Sequence, residues 1–300
     1  HTAKLRGKGS HALFREQMHE SVSERMELSG ALSRGVERGE FVLYYQPILD
    51  MDGHTLRGAE ALIRWRHPER GILAPGAFIP LAEDTGLIVP MGAWVLRESI
   101  RQLGVWLERD LVGPNFTLDV NLSALQLRDS SVIDVVSGAL QLAGVPPENL
   151  VIEITESLLV EDGSGCKERL EQLRGLGVKL AVDDFGTGYS SLSYIQRFPI
   201  DVIKIDRSFV DGLGSVATDP TVVKAIIDIS RRIGATTVAE GIETHVELET
   251  LRDLGCDLGQ GFLFSKPVPP PEFVGLITPR GHRDPVFRAQ AATPVAESLR

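Results

Sequence analysis

The sequence is poor in cysteine and has no long apolar run. Cys166 and Cys256 are its only cysteines in 300 residues, which supports neither a disulfide framework nor a zinc site. No apolar run reaches the roughly 18 residues that a membrane span needs, and no signal-peptide core follows the basic start. We therefore expect a cytoplasmic protein, with any membrane anchor of a longer parent outside this sequence.

The chain also lacks an excess of positive charge. It has 41 acidic and 31 basic side chains, and a net charge of -10. This balance argues against a protein held to long nucleic acid by broad electrostatics. A small anionic substrate, held by metal ions and a few local cations, remains open. The length and the 43% hydrophobic content suit one large domain or two ordinary ones.

The stretch from Ala181 to Leu192 (AVDDFGTGYSSL) has the pattern of a buried strand that ends in a tight loop. Adjacent residues of a strand point to opposite faces. Asp183 and Asp184 can therefore meet one pair of cations only where the strand bends, and Gly186 permits such a bend. The alternative is that one aspartate begins a helix as its N-cap while the other is solvated.

Two β-rich runs near the beginning of the chain predict a hairpin. They cover residues 41–48 and 56–65, and Asp52-Gly53 between them is a turn signal. Glu60 lies inside the second run, where a carboxylate without a partner is costly.

Beyond the hairpin, predicted helices alternate with short β-branched runs, which indicates a parallel α/β architecture. Nearly every strand carries a polar residue. Successive polar residues are spaced by roughly 30 positions, the length of about one βαβ unit. An open sheet would concentrate such residues at one switch point. We therefore predict a (β/α)8 TIM-like barrel with one antiparallel strand. Its helices are predicted at 92–107, 125–143, 164–175, 219–233 and 246–254, and its later strands at 116–121, 150–155, 178–183, 202–206, 237–240 and 258–261.

Because the strand ends of a barrel converge on one face, the polar residues should form one cluster. So many carboxylates require compensation. Two hard cations such as Mg²⁺ or Mn²⁺ would supply it and would suit in-line displacement at phosphorus. The alternative is a set of separate strand-end residues that act as caps. The cluster comprises Glu60, Asn121, Glu153, Asp183, Asp184 and Glu240, together with Lys204.

The motifs around these residues resemble those of the EAL-domain family, phosphodiesterases that hydrolyse cyclic di-GMP to linear pGpG. The resemblance runs without a gap over about residues 30 to 273, and it implies a barrel whose first strand is antiparallel. It is carried by EALIRW (60–65), VNLS (120–123), IEITES (152–157), DDFGTGYSSL (183–192), IKIDRSFV (203–210), AEGIET (239–244) and GQGFLFSKP (259–267).

The resemblance implies a role for each site residue. Glu60, Asn121, Glu153 and Asp183 would bind one metal ion, and Asp183 with Asp184 the second. Glu60, Lys204 and Glu240 are the expected catalytic residues. Lys204 would hold or polarise the attacking water, and Glu240 would act as a general base or through metal-bound water. Ca²⁺ is expected to inhibit.

Substrate contacts are likewise implied by the family. They fall on Gln46, Leu62, Arg64, Asn121, Asp184 and Gln260, and Gln260 would also help to fix metal-bound solvent. The planar fork of Arg64 suits two phosphate oxygens, and the alternative for it is a surface ion pair. Glu156 would steady the loop after Asp184, or it is an N-terminal helix acid. In the family this loop is associated with dimerisation, so we expect a homodimer through the loop and the helices that follow it.

The resemblance also divides the chain. Residues 1–29 resemble the end of a GGDEF cyclase domain with a connecting helix, residues 30–275 form the EAL domain, and residues 276–300 are expected to be a mobile tail. A basic arm for nucleic acid is the alternative for the first residues.

Two rival functions are a silent module that only binds cyclic di-GMP and a two-metal nuclease.

Overall fold

The computed structural model describes residues 25–160, 165–186, 198, 200–215 and 218–277. They fall into two compact units. The first comprises the described residues up to Val42 together with Ile63–Met91, and the second comprises Leu43–Leu62 together with the described residues from Gly92 onward. None of the helices in these ranges combines the length and the apolar character that a membrane span requires.

The first unit is built on an aromatic cluster. The rings of Phe41 and Trp65 stack with centroids 5.8 Å apart, and the ring of Phe78 lies 5.7 Å and 5.9 Å from them. The indole N–H of Trp65 donates to the Glu40 carboxylate at 3.0 Å, which satisfies the polar atom of a buried ring. Helix α1 (25–38), strand β3 (Gly71–Leu73), a 3-10 turn (Pro75–Ala77) and helix α2 (Ile79–Asp84) lie in this unit.

The second unit contains a closed barrel of eight strands, as predicted. With strands numbered along the chain, the order of hydrogen-bonded neighbours around the barrel is β1, β9, β8, β7, β6, β5, β4 and β2. Strand β2 pairs with β1 again and closes the barrel, and β3 lies outside it. The first strand is antiparallel to its neighbour β9, whereas β2 and β4 to β9 pair in parallel, which confirms the antiparallel first strand. The strands are β1 (Phe41–Asp50), β2 (Leu56–His67), β4 (Thr117–Asn121), β5 (Leu150–Thr155), β6 (Lys179–Phe185), β7 (Val202–Ile205), β8 (Thr236–Ala239) and β9 (Leu258–Gly259).

The predicted hairpin is present, and its turn is held by one aspartate. Asp52 Oδ1 accepts hydrogen bonds from the backbone N–H groups of His54 and Thr55 at 2.8 and 3.1 Å. The N–H of Gly53, at a φ of 74° that favours glycine, donates to the Asp50 carbonyl.

The helices follow the strands as predicted, with one break. The single helix expected over 125–143 is wrong, because Asp129 has an extended ψ of 121° and its carboxylate accepts the N–H of Ser131. Such local side-chain bonds compete with helix formation. The helices are α3 (Ile88–Glu108), α4 (Ala124–Arg128), α5 (Ser131–Ala143), α6 (Glu156–Val160), α7 (Cys166–Gly175), α8 (Arg207–Val210), α9 (Thr221–Ile233), α10 (His245–Leu254) and α11 (Pro270–Ile277).

The core of the barrel is apolar below the polar strand ends. Ile48, Val151, Ala181, Val202 and Val238 pack together in a buried cluster, one from each of five strands. A buried polar group next to this cluster is costly unless it has a partner within the protein.

A second buried cluster fixes helix α11, which was not predicted. Trp106 of α3 stacks on Phe273 of α11 at 4.9 Å, and Tyr45 of β1 meets the edge of Trp106 at 4.7 Å. The helix continues to the buried Ile277, two residues beyond residue 275, where the domain was predicted to end. The remainder of the predicted tail, residues 278–300, lies outside the described residues, as do residues 1–24.

Candidate active site

Glu60 of β2 is a buried carboxylate with both oxygens engaged. Oε1 accepts a hydrogen bond of 2.7 Å from the side-chain amide of Asn121, and Oε2 accepts one of 2.7 Å from Gln260. Asn121 ends β4, the neighbour of β2, and Gln260 follows β9, so donors from two other strands converge on one residue. The partner that the sequence required for Glu60 is therefore a pair of amides.

Lys204 lies at the centre of the cluster and is 1% exposed. Its ammonium nitrogen is 2.5 Å from Glu153 Oε1, 2.6 Å from Glu240 Oε1 and 3.5 Å from Glu60 Oε2. These carboxylates come from strands β5 and β2 and from the end of β8. One buried cation thus balances the negative charge that converges at this end of the barrel.

The charges of this cluster shift one another. Burial alone would lower the pKa of Lys204, but the carboxylates of Glu153, Glu240 and Glu60 outweigh it and hold the pKa well above its usual value. Burial raises the pKa of Glu153 well above the ordinary range despite the attraction of Lys204. Burial would also raise the pKa of Glu60, but Lys204 and the amide donors hold it below its usual value. Lys204 therefore stays cationic and Glu60 anionic.

Glu240 follows β8 directly and is half-buried. Its backbone N–H donates to the Ile205 carbonyl at 3.0 Å, which continues the β8–β7 pairing to the rim of the barrel. Burial raises its pKa to about 7, against the attraction of Lys204 and with the repulsion of Asp183. A carboxylate with this pKa can take up a proton near neutral pH.

The two aspartates lie on a distorted end of β6. The β6–β7 register shifts between Val182 and Phe185, so one extra residue is accommodated there. Asp184 has a φ of 55°, in the left-handed region, and its N–H donates to Asp183 Oδ1 at 2.9 Å. The predicted bend thus begins at Asp184 itself and continues through Gly186, where φ is 97°.

This bend brings Asp184 close to other acids. Asp183 is half-buried and Asp184 is exposed. Partial desolvation raises the pKa of Asp184, and the carboxylates of Asp183 and Asp206 raise it further. A positive ligand at this rim would relieve that repulsion.

Glu156 holds the residue that follows the bend. It begins α6 and is 7% exposed, and its Oε2 accepts the N–H of Gly186 at 2.9 Å. The φ of Gly186 favours glycine, and an added Cβ would also lie 3.1 Å from the Phe209 ring, which would have to shift by a few tenths of an ångström. The rest of the loop, residues 187–197 with Thr187 and Gly188, lies outside the described residues.

The predicted substrate residues Gln46 and Gln260 form a buried chain with Glu60. Gln260 Nε2 also donates to Gln46 Oε1 at 3.0 Å, and Gln46 Nε2 donates to the Ser265 carbonyl at 3.0 Å. Leu62 is half-buried in β2. Arg64, half-buried in the same strand but part of the first unit, donates to the Ile63 carbonyl at 2.9 Å.

Asp119 is a buried carboxylate that the sequence reading missed. It lies in β4 opposite Glu60 and is 2% exposed, and its Oδ1 has no hydrogen-bond partner among the described residues. Burial raises its pKa to about 7, against the attraction of Lys204. The signal that identified Glu60, an acid inside a strand-like run, applies equally to Asp119 in FTLDVN.

The donor set fits hard divalent cations, because its carboxylate and amide oxygens are the ligands such ions prefer. Glu153 Oε2 is buried and accepts no hydrogen bond from the described residues. No group of three His, Cys, Asp or Glu side chains in the described part of the chain is arranged to hold a metal. In this arrangement, the ammonium group of Lys204 lies 2.5 Å from Glu153 and 2.6 Å from Glu240 and offsets part of their negative charge.

The motifs of this site are those of a known protein family. The profile of the EAL domain family matches residues 29–267. The chain is 41% identical over 267 residues to the bifunctional diguanylate cyclase/cyclic di-GMP phosphodiesterase MucR of Pseudomonas aeruginosa, covering 89% of this chain and 39% of that protein. It is 40% identical over 262 residues to the oxygen sensor protein DosP of Escherichia coli, covering 87% of this chain and 32% of that protein. The chain thus spans well under half the length of these relatives.

Solved structures agree with the fold. The PaMucR phosphodiesterase in complex with c-di-GMP is 42% identical with a TM-score of 0.78, covering 82% of this chain and 99% of that one. The EAL domain of Mycobacterium smegmatis DcpA is 37% identical with a TM-score of 0.66, covering 79% of this chain and 96% of that one.

Proposed function

Because the chain belongs to the EAL domain family, we propose that it hydrolyses cyclic di-GMP to linear pGpG in a reaction that depends on divalent metal ions. Water adds to one phosphorus, the P–O3′ bond breaks, and the freed 3′ oxygen takes up a proton. One phosphodiester is opened, and the product keeps a 5′-phosphate.

The observation that carries this proposal is the contact of Lys204 with carboxylates from three different strand segments, Glu60 in β2, Glu153 in β5 and Glu240 directly after β8. A structural ion pair needs one partner, whereas this lysine has three and is fully buried. A preorganised charge cluster at the carboxyl ends of barrel strands is typical of a catalytic centre.

We assign the proton chemistry to Glu240 and Lys204. Glu240, with a pKa of about 7, accepts a proton from the attacking water near neutral pH. Lys204, which stays protonated, orients that water and donates hydrogen bonds to charge that develops on phosphate oxygens. Glu60 is held by Asn121 and Gln260 and acts from a fixed position.

EAL phosphodiesterases are generally dependent on divalent metals, and we assign two Mg²⁺ or Mn²⁺ ions to this site. Glu60, Asn121, Glu153 and Asp183 would hold one ion, and Asp183 with Asp184 the other. When bound, the ions would lower the pKa of a bound water and neutralise phosphate oxygens. The unpartnered Glu153 Oε2 and the raised pKa of Asp184 support such ligation.

For the substrate, we assign contacts to Gln46, Leu62, Arg64, Asn121, Asp184 and Gln260. The hydrogen bonds that join Gln46 and Gln260 to Glu60 support a role in which they also fix the position of the Glu60 carboxylate. Arg64 has the planar fork that suits a phosphate.

The assembly and its setting belong to the same proposal. The protein would form a homodimer through the loop and helices after Asp184, and it would act in the cytoplasm. The EAL domain would cover residues 30–275, after the remnant of a cyclase-like domain at 1–29.

The test is incubation of the purified protein with cyclic di-GMP and Mg²⁺, followed by chromatographic and mass identification of the product. Accumulation of pGpG at a rate proportional to enzyme supports the proposal. Binding of cyclic di-GMP without turnover would identify a silent binding module instead. Cleavage of longer RNA or DNA at a comparable rate would favour a nuclease.

A further inference from the structure

Glu247 is a buried carboxylate that serves two segments at the carboxyl end of the barrel. It lies in the first turn of α10 and is 5% exposed. Its Oε2 accepts the backbone N–H groups of Glu243 and Thr244, each at 2.9 Å, and its Oε1 accepts the N–H of Gly212 at 3.2 Å. Burial alone would raise the pKa of Glu247, but these N–H groups hold it below the usual value, so it accepts as an anion.

The first segment joins Glu240 to α10. It contains Gly241, where φ is 72° and an added Cβ would lie 2.4 Å from Arg207 Cγ. Ile242 exchanges backbone hydrogen bonds with Gln260 and Leu263 at 3.1 and 2.9 Å. Residues 240–244 therefore leave little free space, and Glu247 fixes their far end.

The second segment follows the strand of Lys204. After β7 and the short helix α8, the chain turns at residues 211–215, and the Gly212 N–H points at Glu247. Gly214 packs on α10, because a Cβ there would lie 2.5 Å from Val246. The Glu247 carboxylate thus joins the segment that follows β7, the strand of Lys204, to the segment that follows β8 and begins at Glu240.

We infer that Glu247 is a positioning residue that sets the distance between Lys204 and Glu240. A helix N-cap function would need only the bonds to Glu243 and Thr244, the two groups at the start of α10. The third bond, to Gly212 in another segment, has no use in capping and links the two segments directly. The inference rests on the proposed hydrolysis, because its effect appears in the turnover that Lys204 and Glu240 perform.

The experiment compares Glu247→Ala and Glu247→Gln with a matched control, Asp257→Ala. Asp257 directly precedes β9, and its carboxylate accepts the N–H of Thr237 at 2.8 Å and the Thr237 hydroxyl at 2.7 Å, near the start of β8 and away from Glu240. Its loss should lower stability without moving Glu240. For each protein, kcat and KM for cyclic di-GMP are measured well below the melting temperature.

We expect Glu247→Ala to lower kcat by about tenfold to a hundredfold with KM within about threefold, since small misplacements of catalytic groups have effects of this size. Glu247→Gln keeps one acceptor oxygen, so its side chain can hold the start of α10 but cannot also accept the N–H of Gly212. Its kcat should therefore fall as in Glu247→Ala, while its melting temperature stays nearer that of the parent. Asp257→Ala should keep the parent kcat. A parent-like kcat in Glu247→Ala, or an equal loss in Asp257→Ala, would overturn the inference.

A crystal structure of Glu247→Ala gives a second readout that needs no activity. We expect Glu240 to move out of ion-pair distance of Lys204, and an unchanged 2.6 Å contact would overturn the inference. If the parent protein does not hydrolyse cyclic di-GMP, the proposed function fails, and this distance still decides the role of Glu247.

Discussion

The Oε2 atom of Glu156 accepts the backbone N–H of Gly186 at 2.9 Å, and Glu156 directly follows β5, the neighbour of the strand that carries both aspartates. This is the kind of contact that Glu156 would need in order to steady the loop after Asp184. It joins the beginning of α6 to the chain two residues after Asp184, whose φ of 55° is maintained only if its surroundings hold it.

Loss of this contact should weaken the second metal site. We predict that Glu156→Ala folds but needs about tenfold more Mg²⁺ for half-maximal activity, as is common when a group that supports a ligand is removed. Glu156→Gln, which keeps one acceptor oxygen, should lie near the parent. A Mg²⁺ titration of activity, with thermal melting as the folding check, measures this. Parent-like activity of Glu156→Ala at limiting Mg²⁺ would mean that Glu156 is only a helix-end acid.

Removal of a metal ligand should have a different signature. We predict that Glu153→Ala and Asp183→Ala lose hydrolysis at every Mg²⁺ concentration.

Removal of metal ions from the parent protein is a separate test. Chelator should abolish the parent activity, and Mg²⁺ or Mn²⁺ should restore it. Ca²⁺ should support little turnover because it is larger and tolerates looser geometry. Full activity in excess chelator, with an unchanged melting curve, would refute metal dependence.

Lys204 should be essential for stability as well as for activity. Lys204→Met leaves the carboxylates of Glu60, Glu153 and Glu240 without their cation, and breaking a buried pair in this way costs about 3–5 kcal/mol. Urea denaturation measures the loss. The control is Lys224→Met, which removes a partly exposed lysine paired with Asp228 within α9 and should have a small effect. Equal effects of the two substitutions would show that the buried charges compensate otherwise.

Asp119 should make stability depend on pH. Its pKa is about 7 in the folded protein and 3.8 in the reference state, so the folded protein retains a proton that the unfolded chain has lost. Its contribution is fully present below about pH 4 and is lost as pH rises to about 7. Asp119→Asn should therefore gain stability over the parent between pH 5 and pH 8, measured by denaturation in chelator. A difference that does not change with pH would contradict the shift.

Arg64 should affect substrate affinity more than chemistry. Arg64→Ala would remove the proposed charged hydrogen bond to phosphate, and a bond of this kind is worth about 1.5–3 kcal/mol. Binding of cyclic di-GMP in the presence of Ca²⁺, measured by calorimetry, tests this. The control is Arg66→Ala, two residues later in β2 and exposed. Unchanged affinity in Arg64→Ala would remove Arg64 from the site.

The sequence predicted the barrel because period, turn chemistry and polar strand ends all agreed. It predicted Glu60 as a buried acid but could not identify its donors, since Gln260 lies 200 residues away and only the folded barrel brings the two side chains together. The helix break at Asp129 coincides with a local side-chain hydrogen bond from the N–H of Ser131, which helix propensity does not reveal. Asp119 could have been found by the reasoning applied to Glu60. The short elements β3, α2 and α11 have too few residues to show a period.

Closure of the barrel has a consequence for how the protein is made. The first strand pairs with β9 through Leu49 and Asp50, and the partners Gly259 and Leu258 are among the last described residues of the barrel. On the ribosome the chain emerges from its N-terminus at roughly 5–20 residues per second. The edge of β1 therefore remains unpaired with β9 while some 200 residues are synthesised. Glu60 likewise gains its Gln260 donor only after residue 260 has been made. A nascent chain is thus expected to remain inactive until synthesis has passed Gln260, and a truncation before β9 would leave an open sheet with an unpaired edge that is prone to aggregation.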